Sequence, residues 1–250
     1  MGFFEEISKA VRGCEDAETE RLVLGWHASY VVAKDKRWGI GCVPNALREP
    51  HTAREAHTNR MLGGSLIHLA ELLASPFPQE FSAATAACAA LFPFPDREFQ
   101  LDSVMPCARG DKVAVLGYER ELIPLMREWG WRLAVFDDTR QGPDCFPQED
   151  FGRGVEGADW VWLMPEAIRD RWLLSTKEVL SKKKGCFLQG PGLPYLPESF
   201  AALGVTHLVV PKVTGDVEAV RTRIAVGGNP WLCPDVEWRV HFTWKETKDR

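Results

Sequence analysis

The 250-residue sequence lacks several common signatures, and each absence removes a class of function. Seven cysteines stand at positions 14, 42, 88, 107, 145, 186 and 233, an odd number with no C-x-x-C pair. Neither a disulfide framework nor a zinc ribbon is expected from that pattern. No apolar run approaches the ~18 residues of a membrane span. The opening MGFFEEISKAV is acidic and unlike a signal peptide, so a cytoplasmic location with no membrane partner is expected. G-x-x-x-x-G-K-[ST] does not occur, which excludes a P-loop. The formal net charge of -5 and a pI of 5.8 come without a basic stripe, so nucleic acid is not an expected partner. The one dense basic run, Lys182–Lys184, ends a predicted helix, where cations complement the macrodipole. There is no internal repeat and no low-complexity tract.

What is present is an ordinary globular composition, 45% hydrophobic and 26% charged, with length enough for one large domain or two small ones. An amphipathic helix is predicted from Phe3 to about Arg12. In RLVLGWHASYVVAKDKRWGIGCV, residues Leu22, Leu24, Trp26, Ala28, Tyr30 and Val32 alternate, which predicts a long hairpin turning at Lys34–Lys36. Ser65 is placed to cap a helix carrying Leu66, Leu69, Ala70 and Leu73. A second helix, about Gln79–Leu91, bears almost only Ala, Thr, Ser and Cys, so another backbone should lie tightly against it. Three prolines, Pro93, Pro95 and Pro106, mark the best domain boundary.

Beyond that boundary the texture becomes strand–helix alternation. Strands are predicted at Lys112–Gly117, Arg132–Phe136, Asp159–Leu163, Cys186–Gln189 and Thr206–Val210. Helices are predicted at Glu119–Trp129, Glu166–Lys182 and Asp216–Val226, with a short one before Thr206. Near-continuous apolar strands between amphipathic helices indicate a mostly parallel sheet covered on both faces.

The chemistry-bearing candidates are few. VAVLGYERELIPLM holds Gly117 alone where a dinucleotide fingerprint needs three glycines, so a standard NAD site is not expected. Asp137 ends the second predicted strand; the plain reading is a polar residue closing that strand, the chemical one an acid that holds a ribose. His51 and His57 lack the i, i+4 spacing of a helical metal pair and sit among Arg48, Arg54, Asn59 and Arg60, as a surface loop would. His68 and His207 read as structural, and Trp160, Trp162 and Trp172 as packing. Cys88 and Cys186 read as small core residues, whereas Cys42 and Cys145 stand in looser surroundings and are the candidate reactive thiols. No Ser-His-Asp or Cys-His order can be defended. CFLQGPGLPYLPESF is the most distinctive stretch, a buried strand running into a rigid Gly/Pro loop. Its glycines could let backbone approach a ligand, or the loop could simply seat the next helix.

The block GPGLPYLPESFAALGVTHLVVPKVTGDVEAVRTRIAVGG resembles the end of the putative heavy-metal-chelation family, long catalogued as a domain of unknown function. Gly190-Pro191, Pro194, Pro197, Gly204-Val205, Asp216 and Gly227-Gly228 follow that family's pattern in order. KVAVLGY resembles its first strand and turn. LVLGWHASYVV, GIGCVP and Ala84–Leu91 resemble its companion N-terminal domain. Two positions depart: Gly192-Leu193 stand where the family has Ser-Thr, and Met164-Pro165-Glu166 replace a Thr-Gly-rich turn.

The resemblance implies an α/β protein in two parts. Residues 1–95 would form a small α+β enolase-N-terminal-like domain, and residues 105–250 a Rossmann-like domain with a mostly parallel sheet. The function implied is small-molecule binding, with a ligand or metal-chelate pocket at the domain junction. Its walls would be Gly117, Tyr118, Glu119, Asp137, Pro165, Glu166, Gly190, Pro191, Gly192, Pro194, Tyr195 and Lys212, faced by His51 and His57. Glu119 and Glu166 could coordinate a hard cation or serve as acid/base groups, and Lys212 could neutralise an anion. The cofactor stays open to a divalent or heavy-metal ion, the assembly to a homo-oligomer, and no catalytic residue is assigned. Two alternatives stand beside this reading: an enzyme acting on a nucleotide-like or pterin-like substrate in the same crevice, and an inactive relative serving as a partner-binding subunit.

Overall fold

The computed structural model describes residues 2–44, 61–95, 107–119, 122–138 and 142–243, with the backbone of 99–100. The amino-terminal amphipathic pattern folds as α1, Phe3–Arg12, which turns Phe3, Ile7 and Val11 inward. Its acidic first turn (Glu5, Glu6) and basic last turn (Lys9, Arg12) complement the helix dipole.

The alternating run after it does not make one strand. It breaks at Gly25–His27 into β1, Thr19–Leu24, and β2, Ala28–Ala33, which pair antiparallel. The Gly25 N–H bonds the Ala28 carbonyl at 3.0 Å. A side chain at position 25 would lie 2.5 Å from the Ile224 carbonyl oxygen, so the chain turns where no side chain fits. With β3, Trp38–Cys42, a three-stranded meander replaces the expected hairpin.

Ser65 caps α2, Leu66–Ala70, its Oγ accepting the His68 N–H at 3.2 Å. The small-residue helix is α3, Pro78–Leu91, and the tight neighbour it called for is β3. A Cβ on Gly39 would sit 2.3 Å from the Ala86 carbonyl oxygen, and one on Gly41 2.5 Å from the Ala86 nitrogen. Helix and strand therefore meet backbone to backbone.

The remainder builds one eight-stranded sheet. In chain order it contains β4 (Phe99–Gln100), β5 (Lys112–Leu116), α4 (Leu122–Glu128), β6 (Arg132–Phe136), β7 (Cys145–Phe146), α5 (Phe151–Glu156) and β8 (Trp160–Leu163). Then come α6 (Glu166–Arg169), α7 (Trp172–Ser175), α8 (Lys177–Leu180), β9 (Gly185–Gln189), α9 (Pro197–Ala201), β10 (His207–Val213), α10 (Val217–Ala225) and β11 (Val236–Phe242). The spatial order is β4-β11-β10-β9-β8-β5-β6-β7. The strands from β10 to β7 run parallel; β11 is antiparallel to β10, and β4 to β11. The result is a mixed α/β protein with a mostly parallel sheet beside a small antiparallel one.

Three strands, β4, β7 and β11, add to the five expected. The single helix expected over Glu166–Lys182 is instead three short ones. Arg171 adopts φ +62°, a left-handed conformation that an uninterrupted α-helix cannot contain, and it separates α6 from α7. The basic run stays largely exposed and also makes contacts: Lys184 bridges Asp111 at 3.0 Å and Asp159 at 3.3 Å, and Lys183 Nζ donates to the Glu156 and Ala158 carbonyls.

Alternation along the central strands divides the core. Ala114, Leu116, Val161, Leu163, Cys186 and Leu188 point into a cluster that continues through Phe81 and Ala84 of α3 to Phe3 and Ile7 of α1. Val113, Val115, Trp160, Trp162, Phe187 and Val209 face the opposite layer. There Trp162, Phe187 and His207 stack side by side across three strands, with ring centroids 4.5 and 4.3 Å apart. The boundary expected between residues 95 and 105 falls largely outside the described residues. Among the described residues no helix is long and apolar enough to cross a membrane.

Candidate functional site

The sheet reverses direction at β5. From β5 the chain moves outward to β6 and β7, and β8, β9 and β10 are then laid down on its other side. Connections diverge at such a reversal, and the carboxyl ends of the flanking strands open a crevice. Here β5, β8 and β9 deliver Glu119, Met164-Pro165-Glu166 and Gln189-Gly190-Pro191 to one small cavity. His27, Cys42 and Val43 from the antiparallel sheet form the facing wall, with Trp231 and Trp238 closing one side. The enclosed volume is about 30 Å³. Since one water needs about 10–15 Å³ of such space, the cavity admits an ion or a single polar group of a larger molecule.

The Gly/Pro loop does its work on protein. Gly190 has φ +155°, and a Cβ there would lie 1.9 Å from Pro165 Cγ. Gly192 has φ +82°, and a Cβ there would lie 2.4 Å from Thr85 Cβ on α3. The first glycine lets the loop close on the β8 turn, and the second lets it close on the small-residue helix. Pro191, held between them, lines the crevice.

Residues behind the crevice and along its walls are tied down. Asp137 is buried, and its Oδ2 accepts the Tyr118 N–H at 2.9 Å, so this carboxylate fixes the turn that follows Gly117. Gln189 is buried and accepts the Trp162 indole N–H at 2.7 Å. Cys42 is fully buried. Desolvation, and next the Glu166 carboxylate, push its thiol well above the ordinary cysteine range, against weaker opposing effects of Thr85 and Arg169. A thiol so held is a poor nucleophile, which corrects the expectation of loose surroundings at Cys42. Cys145 is partly exposed.

Arg169, three residues after Glu166 on α6, donates two hydrogen bonds to Asp170, at 2.6 and 2.8 Å. Its remaining Nη1 is buried with no hydrogen-bond partner among the described residues. The guanidinium lies close enough to Glu166 and Cys42 to interact with both.

Of the residues singled out from sequence, Glu119, Pro165, Glu166, Gly190 and Pro191 come together in this crevice. Gly117, Tyr118 and Asp137 form the turn behind it. Gly192 and Lys212 face the other side of the loop, where they line a separate cavity. Tyr195 packs there against Phe94 and His241, with centroids 5.1 and 5.8 Å away. Pro194 is buried, and His51 and His57 lie outside the described residues. His27, Arg169, Gln189, Trp231 and Trp238 were not anticipated. Only Arg169 had a usable signal, its helical spacing from Glu166.

A metal held by protein alone needs several converging donors. Among the described residues no three His, Cys, Asp or Glu side chains are grouped to hold one. The described residues alone do not fit a resident metal.

No curated protein matches the chain. Among solved structures that share its fold are two described as proteins of unknown function from the DUF364 family. One, from Pyrococcus horikoshii, has a TM-score of 0.76 at 16% identity, covering 96% of this chain and 100% of that one. The other, from Desulfitobacterium hafniense DCB-2, has a TM-score of 0.74 at 21% identity, covering 96% of this chain and 98% of that one. Residues 100–239 match the family model described as putative heavy-metal chelation. That match spans more than half of the 250 residues, and the chain belongs to this family, DUF364.

Proposed function

We propose that the chain binds a small metal chelate in the crevice at the sheet reversal, gripping one anionic group of the chelator. The observation that carries this reading is that two carboxylates, Glu119 and Glu166, line the crevice, and that Arg169 stands behind its lining, close enough to Glu166 and Cys42 to interact with both, with a buried Nη1 that bonds no described residue. A chelate presents both signs of charge. Glu119 and Glu166 suit the cation, and the guanidinium suits a carboxylate of the chelator, which it can bind at fixed geometry. The cation is then cargo that arrives with ligands of its own, in keeping with the described residues, which hold no group of three donors. The enclosed volume of about 30 Å³ admits the gripped group, while the rest of the ligand lies toward His27, Trp231 and Trp238.

Equilibrium dialysis of the full chain against zinc citrate and against free zinc, with bound zinc and bound citrate both measured, tests the reading. Zinc and citrate are expected to be retained together. Arg169→Gln is expected to weaken retention at least about tenfold, or ~1.4 kcal/mol. Equal retention of zinc without citrate, or an Arg169→Gln chain that binds like the parent, would overturn it.

A further inference from the structure

A groove of about 360 Å³ opens between α5 and the amino-terminal halves of β5 and β6, at the opposite end of these strands from the crevice. Gly154 sets the helix down on the Phe136 ring, where a Cβ would lie 2.0 Å from Cζ. Beside that contact the facing surfaces are Ala114 and Ala134 on the sheet and Gly157 after the helix, too small to fill the space between them.

Three cations line this groove, and no acid does. Lys112 and Arg132 are register partners on adjacent parallel strands, and Arg153 stands across from them on α5. Arg132 Nε donates to the Gly110 carbonyl at 2.8 Å, which holds the guanidinium and leaves both terminal nitrogens without a partner among the described residues. The Lys112 backbone N–H bonds Asp159, a carboxylate shared with Lys184, while its Nζ bonds no described residue. Arg153 meets only Asp150, at 3.7 Å, which is beyond a normal hydrogen bond.

We infer that this groove binds an organic phosphomonoester with a small polyol body. Near neutral pH a phosphomonoester carries ~1.5–2 negative charges and three acceptor oxygens, enough to engage cations on both walls at once. A carboxylate, with one charge and two oxygens, meets fewer of them. Arg132 is held so that its terminal nitrogens can take two phosphate oxygens in parallel. Pockets for small molecules begin near 300 Å³, so the groove has room for more than the phosphate. No aromatic side chain lines it. A nucleobase would find nothing there to stack on, whereas the hydroxyls of a sugar stay in water at the mouth.

Titration calorimetry of the full chain with ribose 5-phosphate, ribose and inorganic phosphate tests this. Ribose 5-phosphate should bind saturably at one site, inorganic phosphate at least about tenfold more weakly, and ribose not at all. Arg132→Gln and Arg153→Gln should each weaken ribose 5-phosphate about tenfold, and Arg132→Lys, which keeps the charge, should weaken it less. The Arg153 side chain is 91% exposed, so Arg153→Gln tests the groove without disturbing the fold, and thermal melts check the others. Absence of binding at millimolar ribose 5-phosphate would overturn the inference. Inorganic phosphate bound equally well would also overturn it, leaving an adventitious ion only. So would loss of ribose 5-phosphate in Arg169→Gln with both groove variants unaffected, which would move the ligand to the crevice.

Discussion

Replacing Gly192 by alanine probes how the loop is seated. Two costs are separable. At φ +82° an alanine incurs about 1–2 kcal/mol of left-handed strain. Its Cβ would also stand 2.4 Å from Thr85 Cβ and 2.8 Å from the Thr85 carbonyl carbon, in the backbone of α3. Neither atom can swing aside as the tip of a long side chain would, so overpacking adds about 1–3 kcal/mol. The sum centres on ~3.5 kcal/mol, which lowers the melting temperature of a chain this long by about 7–14 °C. Gly110→Ala is the matched control, since Gly110 has φ +89° but nothing within 4 Å of the added Cβ. It bears the strain without the collision. Scanning calorimetry of both variants under one buffer and scan rate isolates the packing part as the difference between them. If Gly192→Ala melts no lower than Gly110→Ala, the loop is not seated on α3 as argued.

Two further outcomes are expected. His207 is buried, and desolvation lowers its pKa to about 4 from 6.5. Between those values the unfolded chain holds the extra proton, so acid favours unfolding: stability should rise by about 3 kcal/mol from pH 4 to 6.5 and gain nothing from His207 above that. Urea midpoints across this range should show a shallower slope for His207→Phe, and identical slopes would refute the assignment. In thiol labelling of the native chain, Cys42, Cys88 and Cys186 should react only on unfolding, because burial pushes Cys88 up to about 12 and the other two higher still. Peptide mapping should find early label first at the partly exposed Cys145 and Cys14, with Cys107 slower because burial pushes its thiol well above the ordinary range; rapid modification of Cys42 would show that its wall of the crevice opens.

The central strands were legible because a parallel strand buried on both faces is apolar throughout, as KVAVL and CFLQ are. β11 was not, since VEWRVHF alternates charged and apolar residues next to the sheet edge and resembles a surface segment. The turn at Gly25–His27 hid inside an unbroken alternation: Trp26 kept the period although it is 58% exposed. Arg171 breaks its helix with neither glycine nor proline to announce it. The same division holds at the crevice. Glu119, Glu166 and Pro191 follow predicted strands and could be placed, whereas His27, Trp231 and Trp238 arrive from distant segments whose approach depends on packing. At Gly190 and Gly192 the need for a bare Cα could be read, but not that Pro165 and Thr85 fill the space.

The backbone-to-backbone joint between β3 and α3 bears on how the proposed ligand would be chosen. Long side chains in an interface act as compliant spacers, because rotamer changes absorb small displacements. Gly39 and Gly41 against Ala86 leave no such slack. A shift of α3 must carry β3 with it, including Cys42 on one wall of the crevice, and must also drag the Gly192 loop seated on Thr85. The jaws are geared together like those of a fixed gauge, and densely packed interiors transmit such strain instead of dissipating it. Discrimination at this opening would then rest on the dimensions of the entering group, decided before any contact tightens.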